Sequence, residues 1–208
     1  MIYSILAFLS SFILHAISYA GYAGIFILML LESAAIPIPS EVIMPFSGFL
    51  VASGRFNFLG AVFAGTFGNL AGSIILYQIG KNWGRPFVEK FGKYFFFSLS
   101  ELERTERWFK KYGGLSVFFG RILPVVRTYI SFPAGLVQMD LKIFTLFTFV
   151  GALLWTWVFA YVGLVLGENW AMLEGYFRAF DILIAFLVIA AVIWHIVRYN
   201  RNNKRFDV

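Results

Sequence analysis

The sequence predicts an all-α polytopic membrane protein with about four transmembrane helices and two opposed re-entrant hairpins in an inverted repeat. Three observations lead to this fold class. Of the 208 residues, 60% are hydrophobic and only 13% are charged, whereas soluble domains carry about 25% charged residues. Two uncharged stretches are long enough to cross about 30 Å of hydrocarbon as helices. Two further apolar stretches contain prolines and charged residues, which indicates a broken path through the membrane.

The uncharged stretches at 58–80 and 143–167 are predicted to be complete membrane spans. A third span is predicted at 180–197 and a fourth at about 15–31. Residues 1–14 either lie along the membrane surface or extend the fourth span. The first 31 residues contain no Lys or Arg. Because the basic start of a cleavable signal peptide is missing, we expect the N-terminus to be retained.

The stretches at 35–54 and 113–135 are predicted to form the re-entrant hairpins. Their helix-breaking residues are Pro37, Pro39, Pro45, Gly48 and Gly54 in the first stretch, and Gly113, Gly114, Gly120, Pro124, Pro133 and Gly135 in the second. Non-helical backbone at membrane depth is tolerated only against protein or a water-filled cavity. Each hairpin precedes a complete span, so the chain is interpreted as two inverted repeats that build a site near the membrane midplane.

The placement of charge predicts how the chain is oriented. The linker from Lys81 to Lys111 contains eight Lys or Arg and four Glu, and the C-terminal tail is also basic. Cytoplasmic loops carry an excess of Lys and Arg, so we expect the linker and both termini in the cytoplasm. The parts of the single membrane domain 1–208 are a first half 1–80, a cytoplasmic amphipathic linker 81–112, a second half 113–198 and a basic tail 199–208. Membrane topology and anionic lipid explain the net charge of +6, so no nucleic-acid partner is expected.

Two helical surfaces are also predicted. In the span 58–80, small residues recur every four positions and form a stripe that lets another helix approach closely; they are Gly60, Ala64, Gly68 and Gly72. Asn69 and Ser73 flank this stripe and are expected to face the cavity. The linker contains an amphipathic helix, in which Trp108 and Phe109 are expected to anchor at the membrane surface.

Two carboxylates stand close together near the first hairpin. Glu32 ends the first helix and Glu41 closes the same segment, ESAAIPIPSE. A charged residue at the bilayer centre costs about 2.5–3.5 kcal/mol on insertion scales, so such residues usually face a cavity or a charged partner. Function is therefore predicted for both. The alternative is that one or both carboxylates are hydrated at the membrane surface.

The second hairpin contains two arginines in the segment GRILPVVR. On a straight helix Arg121 and Arg127 would project in different directions, but a break at Pro124 lets both guanidinium groups turn toward one point. Arginine offers phosphate a planar fork of donors and keeps its charge when partly buried. A phosphate group is the predicted ligand. The alternative is a structural ion-pair cluster with Glu32 and Glu41.

Two glutamates and two arginines form a site that is neutral when empty and admits an anion when a carboxylate takes up a proton. Burial favours the protonated carboxyl group, whereas a neighbouring guanidinium favours the carboxylate, so these acids could exchange protons near neutral pH. We therefore hypothesise that Glu32 or Glu41 is the proton-coupling group. The hairpins and the cavity are expected to be shaped by Pro37, Pro39, Ser40, Asn69, Pro124, Ser131 and Gly135.

Residues that support metal or covalent chemistry are scarce. The absence of cysteine excludes disulfides, thiolate metal sites and cysteine nucleophiles. His15 and His195 lie near opposite ends of the chain in apolar runs, which favours structural roles. No metal or cofactor is expected. An enzyme such as a lipid-phosphate phosphatase is disfavoured, because it would need histidines beside Arg121 and Arg127.

Two motifs resemble those of the DedA family of bacterial membrane proteins, which is related to the eukaryotic SNARE-associated Golgi proteins with a VTT domain. They are ESAAIPIPSEVIMPFSG at 32–48 and FFGRILPVVRTYISFPAG at 118–135. Together with the spans, the resemblance covers roughly residues 15–200. It implies functional acids at Glu32 and Glu41 and an essential arginine pair at Arg121 and Arg127.

The resemblance implies a multi-pass flippase of the bacterial cytoplasmic membrane that returns undecaprenyl phosphate to the cytoplasmic face for envelope synthesis. Membrane lipid and protons are then its partners, and homo-oligomerisation is left open. Some branches of the family have an aspartate preceded by glycine where this chain has Ser40-Glu41. The substrate is therefore open between undecaprenyl phosphate and phosphatidylethanolamine, with lipid scrambling or proton-coupled export of small molecules or cations as further alternatives.

Overall fold

A computed structural model describes residues 2–36, 38–91, 99–123 and 126–167. Within these residues the regular structure is entirely helical, as predicted. The helices are α1 (Ile2–Ala20), α2 (Tyr22–Ser33), α3 (Ser40–Ala52), α4 (Phe58–Phe91), α5 (Leu99–Tyr112), α6 (Gly114–Ile122), α7 (Val126–Tyr129), α8 (Ser131–Leu136) and α9 (Leu141–Leu166). The predicted span 180–197, His195 and the tail 199–208 lie outside the described residues.

In the described part of the chain, two helices are long and apolar enough to cross a membrane. They are the 26-residue segment Phe58–Trp83 of α4 and the 26 residues Leu141–Leu166 of α9. Both coincide with the spans predicted at 58–80 and 143–167. However, α4 continues to Phe91, beyond the predicted start of the linker at residue 81. The helix therefore carries the chain past the apolar segment before it ends.

The single span predicted at 15–31 is wrong. The chain bends at Gly21, whose φ of 61° lies in the left-handed region that favours glycine. Helix α2 then packs back against α1, and Gly24 lies directly on the carbonyl of Ala16, where a Cβ would be only 2.6 Å from the oxygen. Residues 2–14 belong to α1, so they extend the helix that ends at this bend.

Among the described residues of the first hairpin stretch, the helix is interrupted between α2 and α3 and ends again before Gly54. Helix α2 ends at Ser33, Ala35 has a positive φ of 72°, and α3 begins at Ser40 after Pro39 as its N-cap residue. The expectation that Pro45 also breaks the helix is wrong, because α3 runs through this residue to Ala52. Helices α2 and α3 therefore lie on either side of this break. The re-entrant path of the chain through the membrane stays a prediction.

The second hairpin stretch is broken where the sequence predicted it. Helix α6 ends at Ile122, Leu123 has extended backbone, and the short helix α7 begins at Val126. Helix α8 follows, with Pro133 in its first turn, where the missing backbone N–H is tolerated. Three short helices therefore replace one continuous span.

The small-residue stripe of α4 packs as predicted. A Cβ at Gly68 would overlap with the backbone carbonyl of Phe26, and one at Gly72 would overlap with that of Leu30, so α4 and α2 touch through their backbones. Close backbone contact of this kind is how apolar helices associate without water to drive them.

Four other glycines form two matching pairs of contacts. Gly48 of α3 lies on the carbonyl of Ala160 in α9, and Gly163 of α9 lies on the carbonyl of Pro45. In the same way, Gly135 of α8 lies on the carbonyl of Tyr77 in α4, and Gly80 of α4 lies on the carbonyl of Phe132. In each crossing, the two contact residues on each helix are three positions apart in the sequence. Thus α3 packs on the long helix of the second half, and α8 packs on the long helix of the first half.

Helix α5 lies where the linker helix was predicted, but one of its two anchor residues is placed differently. Trp108 is exposed, whereas Phe109 is buried in a cluster with Tyr77, Val117 and Phe144. The expectation that Phe109 inserts into the membrane surface is therefore wrong. Its ring is part of the protein core, so it fixes α5 to α4, α6 and α9.

We expect Gly163→Ala to lower the thermal unfolding temperature of the purified protein clearly more than Gly60→Ala does. The Cβ at position 163 would overlap with the backbone of Pro45, whereas at position 60 the nearest atoms belong to the Tyr22 ring at 2.9 Å, which can move aside. Overpacking of this kind typically costs about 1–3 kcal/mol. Tryptophan fluorescence during heating in detergent measures the difference, and equal unfolding temperatures would contradict the crossing.

Candidate functional site

Glu32 lies in the last turn of α2 and is 4% exposed. One carboxylate oxygen, Oε1, accepts hydrogen bonds from Arg127 Nη2 at 3.0 Å and from Thr128 Oγ1 at 2.8 Å. The other oxygen accepts a hydrogen bond from Ser33 Oγ at 3.0 Å. Three hydrogen-bond donors thus surround this buried carboxylate. The alternative that Glu32 is hydrated at the membrane surface is thereby excluded in this structure.

Arg127 completes the ion pair from the short helix α7 and is 3% exposed. Its Nη2 also donates to Ser40 Oγ at the start of α3. Its Cζ lies 4.3 Å from the centre of the Trp155 ring, a cation–π contact with α9. A single side chain thus contacts α2, α3 and α9. The ion pair joins residues 95 positions apart and connects the two halves of the chain.

Glu41 reaches the same cluster through a serine. The Ser40 hydroxyl donates to Glu41 Oε2 at 3.3 Å while its oxygen accepts from Arg127. Glu41 is partly buried, whereas Glu32 is fully buried. The two acids therefore differ in their access to the surroundings, although both belong to one hydrogen-bonded network.

Arg121 is 2% exposed and has a different set of partners. Nη1 donates to the carbonyl oxygen of Arg127 at 2.8 Å and to Asn69 Oδ1 at 3.4 Å, and Nη2 donates to Ser131 Oγ at 2.6 Å. Among the described residues, each of these acceptors is neutral. The side chain fits because α9 has a glycine beside it: a Cβ at Gly151 would be 2.7 Å from Arg121 Cβ.

The balance of charge in the cluster is uneven. The fully buried groups are two guanidiniums and one carboxylate, so they carry a net charge of +1 when all are ionised. Glu41, which is partly buried, offsets this charge from the edge of the cluster. Burying an arginine away from an opposite charge is costly. An anionic group near Arg121 would compensate it, and guanidinium is well suited to bind phosphate oxygens.

The structure brings most of the predicted site residues together. The cluster contains Glu32, Ser40, Glu41, Asn69, Arg121, Arg127 and Ser131. Pro39 is the N-cap residue of α3 and precedes Ser40 of this cluster in the sequence. Gly135 lies elsewhere, in the contact between α8 and α4. Ser73 is buried and donates to the carbonyl oxygen of Asn69, one turn earlier in the same helix, at 2.6 Å. Pro37 and Pro124 lie outside the described residues.

Sequence reasoning missed four members of the site. Ser33 and Thr128 are direct neighbours of predicted residues, so their participation could have been found from adjacency. Gly151 and Trp155 are four residues apart on one face of α9, in a span with no charged residue to draw attention to it. Their role depends on which side of α9 meets α6 and α7, and this packing is not encoded in local sequence.

For the residues that the structure describes, fold and site define a helical membrane protein with a buried charged cluster. The chain belongs to the VTT-domain family, also known as the DedA family, because the model of the VTT domain matches residues 38–165. The resemblance read from the two motifs is thus confirmed.

Several relatives extend over nearly the whole chain. The membrane protein YkoX of Bacillus subtilis is 37% identical over 191 residues, which cover 92% of this chain and 85% of the relative. Undecaprenyl phosphate transporter A of Bacillus subtilis is 36% identical over 194 residues, covering 93% and 96%. An alkaline phosphatase-like protein of Lactococcus lactis is 31% identical over 205 residues, covering 94% and 96%. No solved structure gives a significant match.

We expect the ion pair to show strong energetic coupling. Glu32→Gln and Arg127→Gln each leave one buried charge without its partner, which typically costs about 3–5 kcal/mol. The double variant removes both charges, so its loss of stability should be clearly smaller than the sum of the two single losses. Unfolding temperatures in detergent measure the three changes, with Arg55→Gln as an exposed control. Additive losses would show that the two residues do not depend on each other.

Proposed function

We propose that the chain transports undecaprenyl phosphate across the bacterial cytoplasmic membrane, with the phosphate bound at Arg121 and Arg127. The observation that carries this proposal is the bonding of Arg121. Its guanidinium is buried, and the acceptors that the described residues provide for it are neutral. Its charge is therefore available to an anion, and phosphate fits the planar fork of donors.

The relatives support the class of substrate. One relative with 36% identity over 93% of this chain is named undecaprenyl phosphate transporter A. A lipid phosphate has one anionic group to cross the hydrocarbon and a long tail that stays in lipid, so a compact cationic site is sufficient to lower the barrier. Phosphatidylethanolamine is the alternative substrate, since it also presents a phosphate, but its ammonium group would need a carboxylate partner such as Glu41.

The proposed transport path uses two re-entrant hairpins in an inverted repeat. The two glycine crossings support this architecture. In the crossing of α3 with α9 and in that of α8 with α4, the two contact residues on each helix are three positions apart. Adding 87 to the residue numbers of the first hairpin places Pro45 on Phe132, Gly48 on Gly135 and Ser40 on Arg127. Ser40 and Arg127 are hydrogen-bonded to each other in the cluster. Residues that coincide in this way lie near the axis of a two-fold repeat, where transporters commonly bind their substrate.

Proton coupling is the part of the proposal that concerns Glu32 and Glu41. Glu32 is paired with Arg127, which leaves Arg121 as the first guanidinium to meet the phosphate. Protonation of Glu32 would release Arg127 so that both guanidiniums hold the anion. Return of the carboxylate to its ion pair would then favour release. Binding of the lipid phosphate and uptake of a proton are thus linked.

The first test compares transport by the intact protein and by Arg121 variants in liposomes. Hydrogen bonds to charged groups contribute about 1.5–3 kcal/mol, so Arg121→Gln should weaken undecaprenyl phosphate translocation roughly 10- to 100-fold. Lys142→Gln, which removes an exposed positive charge, should transport normally. Phosphatidylethanolamine and small cations are measured in parallel. Faster movement of either one than of undecaprenyl phosphate would contradict the proposed substrate.

The second test concerns protons. The rate of undecaprenyl phosphate transport should depend on pH in the intact protein, and this dependence should flatten in Glu32→Gln or Glu41→Gln. Asp140→Asn, an acid outside the cluster whose side chain caps α9, is the matched control. If both glutamate variants keep the pH profile of the intact protein, then neither acid couples transport to protons.

A lipid-phosphate phosphatase is the second candidate, because the relative in Lactococcus lactis is named alkaline phosphatase-like. The experiment incubates purified protein with undecaprenyl phosphate and measures free inorganic phosphate. We expect no release above the rate of the Arg121→Gln variant. Release that depends on Arg121 would identify the chain as an enzyme and overturn the proposed transport function.

A further inference from the structure

Trp155 of α9 has an indole N–H group that is buried and has no hydrogen-bond partner in the described part of the chain. Buried polar atoms are nearly always hydrogen-bonded, because an unpaired one is destabilising. Indole carries one donor and no acceptor, so only a group with an acceptor atom can satisfy it. The N–H group of Trp155 is therefore available to an acceptor that the described residues do not supply.

The contacts of the indole ring place it at the charged cluster. The Cζ of Arg127 lies 4.3 Å from the centre of the ring, so guanidinium and indole are in direct contact. The same guanidinium donates from Nη2 to Glu32 and to Ser40. Trp155 is thus a residue of α9 that touches the arginine of the buried ion pair.

Arg121 packs on the same side of α9, one helical turn earlier. A Cβ at Gly151 would be 2.7 Å from Arg121 Cβ, so the arginine lies where α9 has no side chain. In an α-helix, residues four positions apart share a face, and long side chains lean toward the preceding turn. The side chain of Trp155 is thereby directed toward the turn that holds Arg121. The indole contacts one arginine of the proposed phosphate site and lies a turn from the other.

Arg121 itself also has one unpaired donor. Its Nη1 and Nη2 donate to described residues, whereas its Nε is buried and has no partner among them. The Nε of arginine and the Nε1 of tryptophan donate hydrogen bonds and accept none. Both groups therefore suit the oxygens of a phosphate, and neither suits an ammonium group, which is itself a donor.

A second aromatic residue of α9 supports the indole ring. Phe159, one turn after Trp155, stacks on it with the ring centres 4.5 Å apart and an interplanar angle of 30°. The contacts with Phe159 and Arg127 hold the ring, so the direction of its N–H group is set by the protein. A donor that is already oriented binds an acceptor with little further loss of conformational freedom.

We propose that Trp155 is a further binding residue for the substrate, and that its indole N–H donates a hydrogen bond to an oxygen of the lipid phosphate held by Arg121 and Arg127. A phosphate monoester presents three strong acceptor oxygens, so it can accept from two guanidinium groups and an indole at once. The inference rests on the proposed function and names the donor that α9 adds to the site. Trp155 then favours a head group that only accepts hydrogen bonds.

The first test measures binding to the purified protein in detergent. The ligands are farnesyl phosphate, a short polyprenyl phosphate, and farnesol, which has the same tail and no phosphate. Trp155→Phe keeps an aromatic face for Arg127 and removes the N–H group. A hydrogen bond to a charged group changes affinity roughly 10- to 100-fold, so this variant should bind farnesyl phosphate at least about tenfold more weakly and farnesol unchanged. Equal affinities of the variant and the intact protein for farnesyl phosphate would overturn the proposal.

Two more variants separate the N–H group from the ring. Trp157→Phe is the matched control, because Trp157 is 46% exposed and stacks on Tyr161 with ring centres 5.5 Å apart, so its affinity should equal that of the intact protein. Trp155→Leu removes both the N–H group and the face that contacts Arg127, so it should bind more weakly than Trp155→Phe. A loss in Trp155→Leu with none in Trp155→Phe would show that the ring only supports Arg127, and the proposed hydrogen bond would be wrong.

A second measurement observes the hydrogen bond itself. The chain contains six tryptophans, and in protein with isotope-labelled tryptophan the indole NMR signal that is missing from Trp155→Phe belongs to Trp155. Its N–H proton should move downfield when farnesyl phosphate is added and should stay in place when farnesol is added. A signal that does not move once farnesyl phosphate has saturated the protein would overturn the proposal, whatever the affinity of the variants.

The role of Trp155 and the proposed function fail separately. If Arg121→Gln weakens binding of farnesyl phosphate and Trp155→Phe does not, then the phosphate site stands and the indole donor is excluded. If Trp155→Phe weakens binding but the intact protein moves no undecaprenyl phosphate in liposomes, then the indole donor stands and the transport function is overturned. An intact protein that does not bind farnesyl phosphate at all would overturn both.

Discussion

The buried ion pair between Glu32 and Arg127 is the interaction on which the rest of the arrangement depends. It joins the end of α2 to α7 and therefore ties the two halves of the chain together at one point. Without its partner, either charge would lie unpaired in an apolar environment, where the penalty amounts to several kcal/mol. Hydrogen bonds from Ser33 and Thr128 to the carboxylate, and from the arginine to Ser40, complete the network. The broken helices around the site are the backbone geometry that lets these side chains meet.

Two arginines of similar burial have different surroundings, and this difference organises the proposed mechanism. Arg127 is held by a carboxylate and by the face of Trp155, so its charge is compensated within the protein. Arg121 donates to an amide, a hydroxyl and a backbone carbonyl among the described residues. One guanidinium thus maintains the connection between the halves, while the other is the proposed binding group for the lipid phosphate.

How much could be predicted from the sequence differed from feature to feature. The apolar spans follow from length and composition, and the convergence of charges follows from the cost of burying them alone, so both were predictable. The bend at Gly21 was not, because a glycine inside an apolar run becomes a bend only when the helix can fold back on a suitable surface. The continuity of α3 through Pro45 likewise depends on neighbours that compensate the missing hydrogen bond. Gly151 and Trp155 became site residues only through the packing of α9, which no local pattern contains.

The glycine crossings between the long helices and the short limbs also determine which motion is easy. At the crossing that contains Gly48 and Gly163, and at the one that contains Gly80 and Gly135, the glycines lie directly on the backbone of the neighbouring helix. Interlocked ridges and grooves hold helices in a fixed register, whereas smooth surfaces allow small sliding displacements. The two crossings have the same three-residue spacing, so each permits the same kind of slide. In the proposed transporter, shear between α3 and α9 and between α8 and α4 would move the charged cluster without unfolding any helix.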